Sequence, residues 1–442
     1  MRPTIRIILL IGLFLGSCNL PKSSDLATPR VDSPTPTRES APQGLPAPAS
    51  APTILPSATQ AAPPIPSTLP TAAIPSGPTI QGVTSSERIT ITTIHMLDEQ
   101  AGWGVGNQGG SDHILFTTDG GLTWDERTPP EPASTDPAQT KTARVYFADD
   151  HLAWTIYTPT GGPPPIGDQY VWYTRDGGQN WQASSSLPLI GLEAFFIPEG
   201  FAFVDPQHGW LLAHVDAGMS HDYSYLFATT DGGASWQRIT DPYSDGLQSL
   251  HNTGLAFLNA EFGWVTKDNL GVMAGAFFEQ TADGGVTWED VFLPAPAELD
   301  WFSEASQCLT SGLVFTGAQR ASLIVKCRLS GEDTSDDEEW SFTYIYTTQD
   351  LGNTWQHTLL SSPVENMFFL DDMEGWAFGR EYYRTTDGGF SWVPVKSVNW
   401  DGQFSFIDPI NGWAVARNAD EIALVNTIDG GATWQIIEPT TR

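Results

Sequence analysis

Apolar residues in this chain come in short runs that end on a fixed polar phrase. Ile114-Leu115-Phe116-Thr117 and Tyr344-Ile345-Tyr346-Thr347 are runs of this kind, rich in the aromatic and branched side chains that suit strands. The phrase that follows reads Thr-x-Asp-x-Gly-x-(Thr/Ser/Asn)-Trp. It occurs seven times, at Thr117–Trp124, Thr174–Trp181, Thr229–Trp236, Thr281–Trp288, Thr348–Trp355, Thr385–Trp392 and Thr427–Trp434, at spacings of 37 to 67 residues. A phrase that returns at such intervals marks a repeat architecture. Its physics is that of a β-hairpin. The Asp can accept hydrogen bonds from backbone N–H groups further round the turn. The Gly two positions on supplies a positive φ, and the Trp opens the return strand.

A second phrase, (Phe/Met)-x-(Asp/Asn)-x-x-x-(Gly/Ala)-Trp, lies upstream in each unit. It runs Met96–Trp103, Phe147–Trp154, Phe203–Trp210, Phe257–Trp264, Phe369–Trp376 and Phe406–Trp413. The fifth unit has a worn copy: Phe315 is kept, but Gly317 replaces the Asp and Ser322 the Trp. Each unit therefore predicts two hairpins. Seven units of four antiparallel strands predict an all-β, seven-bladed β-propeller over 87–438, with blades near 87–128, 141–187, 192–241, 249–294, 303–360, 362–395 and 400–438.

The first phrase resembles the Asp-box, or bacterial neuraminidase (BNR), repeat. Its pairing with the Gly-Trp strand is similar to the photosystem II assembly and stability factor family of propellers. The resemblance spans nearly all of the chain that can fold. It implies a propeller serving as a non-catalytic binding or assembly module. The same repeat also resembles those of sialidases, xyloglucanases and sortilin-type receptors, so a glycoside hydrolase acting on surface glycans is the alternative. No Arg-Ile-Pro phrase of the sialidase kind stands in the first unit, where Arg88-Ile89 is followed by Thr90.

The N-terminal residues change the picture of where such a module would sit. Arg2 and Arg6 precede an apolar run, Ile7 to Leu15, which is too short for a stable membrane span and reads as a secretory signal over 1–17. Leu15-Gly16-Ser17-Cys18 resembles the bacterial lipobox, which implies cleavage before Cys18 and lipid attachment to its sulfur. Residues 18–86 are dominated by Pro, Ser, Thr and Ala and cannot bury enough apolar surface to fold, so they predict a disordered tether. The expected product is an extracytoplasmic, lipid-anchored, monomeric head.

Charge narrows the partners. Residues 1–86 hold five of the 20 Lys/Arg and three of the 52 Asp/Glu, which leaves 15 bases against 49 acids in the head. That field repels nucleic acid and anionic lipid headgroups and favours cationic partners or divalent ions. An extracytoplasmic protein or a surface polysaccharide is the expected partner, and no cofactor is expected. Cys308 and Cys327 flank the worn turn of the fifth unit, with their midpoint at Gly317-Ala318, and predict a disulfide.

Strand parity assigns the faces. In a four-stranded meander the first and third turns share one end, so both Asp phrases lie on one face. The second turns and the links between units lie on the other, where lengths vary most: Thr158–Gln169, His214–Ser224 and Leu329–Glu339 are insertions there. Function gathers in variable loops, so the face away from the Asp turns is the predicted working surface. An Asp present in seven equivalent turns is explained by the turn, so Asp119, Asp176, Asp231, Asp283, Asp350, Asp387 and Asp429 are read as structural and no catalytic residue is nominated. His214, Asp216, His221 and Asp222 form a weak metal candidate whose spacing matches no strong ligand rule. The acidic run Glu332–Glu339 lacks the pattern of a calcium loop and reads as solvated charge. Trp301, Trp340, Trp400, Tyr382 and Tyr383 fall outside the repeat and could form a stacking surface.

Overall fold

A computed structural model describes residues 89–442, except 131–139, 161–166, 192, 219–220, 241–246, 248–249, 272, 297–306, 329–341 and 419–420. The signal, Cys18, the tether, the acidic run, Trp301 and Trp340 lie outside the described residues. So do parts of the expected insertions.

The described residues form strands and turns, with no helix among them. The first unit contributes β1 (Thr90–Met96), β2 (Gly102–Gln108), β3 (Ser111–Thr117) and β4 (Thr123–Glu126). The second has β5 (Lys141–Phe147), β6 (Ala153–Pro159), β7 (Trp172–Thr174) and β8 (Trp181–Ala183). The third has β9 (Ile197–Phe203), β10 (Gly209–Gly218), β11 (His221–Thr229) and β12 (Gln237–Arg238). The fourth has β13 (His251–Phe257), β14 (Gly263–Asp268), β15 (Phe277–Thr281) and β16 (Glu289–Phe292). In the fifth are β17 (Gln307–Phe315), β18 (Ala321–Arg328), β19 (Phe342–Thr348) and β20 (Gln356–Leu359). The sixth has β21 (Val364–Phe369), β22 (Gly375–Gly379), β23 (Glu381–Thr385) and β24 (Val393–Ser397). The seventh has β25 (Asp401–Phe406), β26 (Gly412–Asn418), β27 (Glu421–Thr427) and β28 (Gln435–Ile437), and a short β29 (Thr440–Thr441) follows.

These strands make a propeller-like arrangement of four-stranded antiparallel sheets. The expectation of seven separate sheets needs correction. Five sheets each hold one unit, and one of these gains β29 as a fifth strand. The fourth and fifth units run together into a single eight-stranded sheet. The cause is local: Asp268 at the end of β14 pairs with Leu309 of β17. Thr310 locks the junction, accepting from Lys267 N at 2.8 Å and donating to Phe277 O at 2.9 Å.

The second phrase supplies the packing between units. Its Trp stacks on the leading Phe of the next unit: Trp103 on Phe147 at 5.1 Å, Trp154 on Phe203 at 3.9 Å, Trp210 on Phe257 at 3.6 Å and Trp376 on Phe406 at 4.9 Å. The indole N–H also reaches forward. Trp154 donates to Gly232 O, Trp210 to Gly284 O and Trp413 of the last unit to Gly120 O of the first. In the fifth unit, where Ser322 stands in place of Trp, two hydroxyls do this. Ser322 Oγ meets Thr347 Oγ1 at 2.9 Å, and Thr347 donates to Gly389 O at 3.0 Å.

The first and last units meet. Gln403 and Ser405 on β25 accept from Ile94 N and Met96 N of β1. Past β28 the chain crosses to the first unit, where β29 pairs in parallel with β4, Thr440 opposite Thr123 and Thr441 opposite Trp124. Arg442 then pairs with Asp119 at 2.9 Å.

Cys308 and Cys327 sit opposite each other on β17 and β18 and form a disulfide, with Cα atoms 4.2 Å apart and both side chains fully buried. Closing a loop across a sequence separation of 19 residues should contribute about 3 kcal/mol. The Cys308→Ser/Cys327→Ser variant is expected to unfold at lower urea concentration by that amount. An unchanged midpoint would mean that the worn unit does not depend on its cross-link.

Candidate functional site

Both Asp phrases fold as their chemistry requires, and they touch. In the first-phrase turns, the Thr hydroxyl donates to one Asp oxygen and accepts from the N–H four residues on. In the third unit these bonds are Thr229 Oγ1 to Asp231 Oδ1 at 2.8 Å and Gly233 N to Thr229 Oγ1 at 2.9 Å. The same Asp also accepts from Ser235 N on Oδ1 and from Ser235 Oγ on Oδ2. The pattern recurs at Asp119, Asp176, Asp283, Asp350, Asp387 and Asp429, with Asn180 supplying an amide at Asp176. Gly121, at φ 92°, adopts the backbone conformation that the sequence assigned to this position. In the fifth unit the preceding position is Leu351, which takes a positive φ of 55° without being glycine.

The second-phrase turns use their Asp or Asn in the same way. Asp98 Oδ1 accepts from Gln100 N and Ala101 N, and Asp371 Oδ1 from Met373 N and Glu374 N. The two turns of a unit are then joined directly: Gly120 N donates to Gln100 O, Gly232 N to Gln207 O and Gly430 N to Ile410 O. Both Asp families therefore occupy one face, as strand parity predicts.

These bonds set the acid response. Hydrogen bonds from the Thr433 side chain and backbone hold the Asp429 carboxyl below its ordinary value of 3.8, and Thr354 does the same for Asp350. A lowered folded value contributes stability that is present above the unfolded value and lost as pH falls through the folded one. Thermal unfolding followed against pH should therefore show a decline beginning below about pH 4, which Asp429→Asn makes shallower. No decline down to pH 2 would contradict this.

Two cavities open toward the opposite face. One, of about 250 Å³, lies between the first and seventh units and is walled by Ile89, Ile91, Ile422, Leu424 and Ile436. The other, of about 230 Å³, lies where β5, β9 and β13 begin, and Arg144, Glu199, Leu212, His251 and Asn252 line it. Inner strands start at the end remote from the Asp turns, so both cavities belong to the variable face.

A polar cluster surrounds the second cavity. Glu199 Oε2 is sealed from solvent without a hydrogen-bond partner. Burial pushes its carboxyl up to about 7, against the opposing pull of His251, Asn252 and Lys267. Lys267 is fully buried, with Nζ 2.6 Å from Glu279 Oε2 and 2.7 Å from Asn252 Oδ1. Asn252 in turn donates to Ser224 Oγ at 2.8 Å. His251 Nδ1 lies 2.7 Å from Asp222 Oδ2.

Of the weak metal candidate, His214 Nε2 and Asp222 Oδ1 approach to 3.5 Å. On either side of residues 219–220, which lie outside the described residues, 214–218 and 221–224 continue β10 and β11 as paired strands. A bulge between His214 and Asp216 pairs them with Ser224 and Tyr223, neighbours that point to opposite sides of the sheet. The His221 side chain lies outside the described residues. The stacking candidates are also corrected. Tyr382 and Tyr383 are buried and bond to Gly431 O and Glu381, and Trp400 packs on Phe404 at 5.5 Å. Glu199 and Lys267 were not legible in advance, because neither belongs to a repeated phrase. The one signal was an acid on an inner strand, in the stretch Ile197-Pro198-Glu199-Gly200.

Comparison with known proteins agrees with the repeat. The BNR/Asp-box repeat model matches residues 172–183. An uncharacterized membrane glycoprotein of Saccharomyces cerevisiae, YNR066C, is 29% identical over 111 residues, covering 24% of this chain and 23% of that protein. The chain thus spans about a quarter of the length of that curated relative. Among solved structures, YCF48 bound to D1 peptide is similar at 19% identity and a TM-score of 0.46, covering 77% of this chain and 94% of that one. YCF48 from Cyanidioschyzon merolae is similar at 16% identity and a TM-score of 0.41, covering 78% and 97%. An ulvan lyase of polysaccharide lyase family PL25 is similar at 11% identity and a TM-score of 0.47, covering 81% and 96%.

Proposed function

We propose that this chain is a membrane-tethered, seven-bladed propeller that acts as a non-catalytic binding or assembly module through the face opposite its Asp turns. The eight-stranded sheet counts in this reading as two blades joined at one bridge. The observation that carries the assignment is the division between the faces. Each repeated Asp carboxylate accepts bonds from donors of its own turn, whereas both cavities and the half-buried Glu199, with its Oε2 closed off from solvent, lie at the other end. Chemistry left for a partner is concentrated on one surface. The expected partner is an extracytoplasmic protein, with a surface polysaccharide second, and the excess of 49 acids over 15 bases in residues 87–442 argues against nucleic acid.

The test is photocrosslinking in membranes, with the reactive group placed in turn at Ile197, on the cavity side, and at Leu122, in an Asp turn; these side chains are 40% and 55% exposed. A discrete adduct from position 197 alone is expected. Equal capture from both positions would remove the assignment of faces. Glycoside hydrolysis is kept as a second reading because Glu199 has the raised carboxyl that a general acid needs. Turnover of a polysaccharide that disappears in Glu199→Gln would establish it and displace the binding reading. For the anchor, Cys18→Ser is expected to move the protein from the membrane fraction to the soluble one. Retention in the membrane fraction would sink the tether.

A further inference from the structure

We propose that the cavity between β5, β9 and β13 is a subsite for a primary alkylammonium group, such as a lysine side chain, paired with the Glu199 carboxylate. This rests on the reading of that face as the working surface, and it names what the surface recognises.

The first argument is Glu199, an acid that the fold satisfies only in part. Asn252, His251 and Lys267 favour its charged form, but among the described residues no ion pair to it is present and its Oε2 has no hydrogen-bond donor. The neighbouring cations act on it only from a distance, each being bonded directly to another group. Lys267 on β14 is held by Glu279 and Asn252. Arg144 on β5 donates its Nε to Pro198 O at 3.2 Å. His251 on β13 is paired with Asp222 of β11. Glu199 is half-buried, and a carboxylate oxygen closed off from water without a donor is costly, a cost that a bound cation relieves.

The second argument is shape. About 230 Å³ is ample for an ammonium and a few methylenes. Ile197 and Leu212 offer apolar wall for the stem while the charged head meets the acid. A divalent metal is a poorer fit. It calls for several oxygen ligands, and Asp222, the neighbouring carboxylate, is taken by His251 and His214. The acidic excess of the head draws cations toward this face from a distance.

The pairing has a pH signature. An alkylammonium stays charged up to about pH 10, so the carboxyl decides. Burial holds Glu199 near 7, so the ionised fraction rises roughly tenfold from pH 6 to pH 8. The charged and titratable groups around it are His251 on β13, Lys267 on β14, Arg144 on β5 and Asp222 on β11; His251 and Lys267 pull its carboxyl down and Asp222 pushes it up.

Isothermal titration of the full-length protein tests this with three probes: n-butylamine, its neutral counterpart n-butanol, and a Gly-Lys-Gly peptide with blocked ends. Both amines are expected to bind at pH 8, about tenfold more weakly at pH 6, while butanol shows no heat. Glu199→Gln should lose at least about tenfold at pH 8 and flatten the pH profile, and His251→Asn should keep most of the slope. If Glu199→Gln proves unstable, the butylamine-to-butanol contrast on the unmodified protein still decides. The peptide binding more tightly than butylamine identifies a polypeptide lysine; the reverse identifies a free amine. Butylamine binding no better than butanol, or equally at both pH values, overturns the proposal. An adduct from position 197 with no amine binding would leave the working face in place and remove only the subsite.

Discussion

Lys267→Met is expected to lower the unfolding free energy by about 3–5 kcal/mol, the range for breaking a buried ion pair from one side. Lys267 on β14 and Glu279 on β15 meet diagonally across neighbouring strands of the fourth unit, 0% and 2% exposed, at 2.6 Å, with Glu279 opposite Val265 in the register. Removing the ammonium takes the cation from the buried Glu279 carboxyl and the donor from Asn252 Oδ1. The companion variant Lys267→Met/Glu279→Leu removes both charges and should regain most of the loss, because apolar side chains of similar size replace such pairs at little cost. Urea unfolding of the two variants supplies the comparison. A single variant within about 1 kcal/mol of the unmodified protein would show that water reaches the pair.

Trp376→Ala should cost a similar amount, about 3–5 kcal/mol. Trp376 is fully buried between the sixth and seventh units, stacked on Phe406 at 4.9 Å with ring planes 6° apart, and the Arg384 guanidinium lies 5.5 Å from its centroid. Removing the indole opens a cavity at the junction and deletes a contact that holds one sheet against the next. Its Nε1 makes no hydrogen bond, so Trp376→Phe should retain most of the stability. Trp210→Phe, by contrast, also loses the bond to Gly284 O, worth about 1 kcal/mol. Equal losses for Trp376→Ala and Trp434→Ala would contradict this account, since Trp434 is only partly buried.

Much of the architecture was readable because its determinants are close in sequence. Asp231, Thr229, Gly233 and Ser235 lie within seven residues and satisfy one another, so the phrase carries its own turn. Cys308 and Cys327 were readable because one hairpin sets them opposite. The bridge Asp268–Leu309 was not, because it depends on how far two strands extend before their links begin. Nor was the cluster of Glu199, Asn252, Lys267 and Asp222, whose members come from four strands in two units.

The order of residues alone settled the hairpins, the side of each sheet on which the Asp turns lie, and the pairing of the two cysteines, all through interactions spanning a few residues or one turn. Packing of the sheets against one another decided the rest: which units share a sheet, how β29 joins the last unit to the first, and which acid is left without a counter-ion. Burial and charge pairing depend on side chains up to some three hundred residues apart, as with Trp413 and Gly120, and no local pattern encodes that distance.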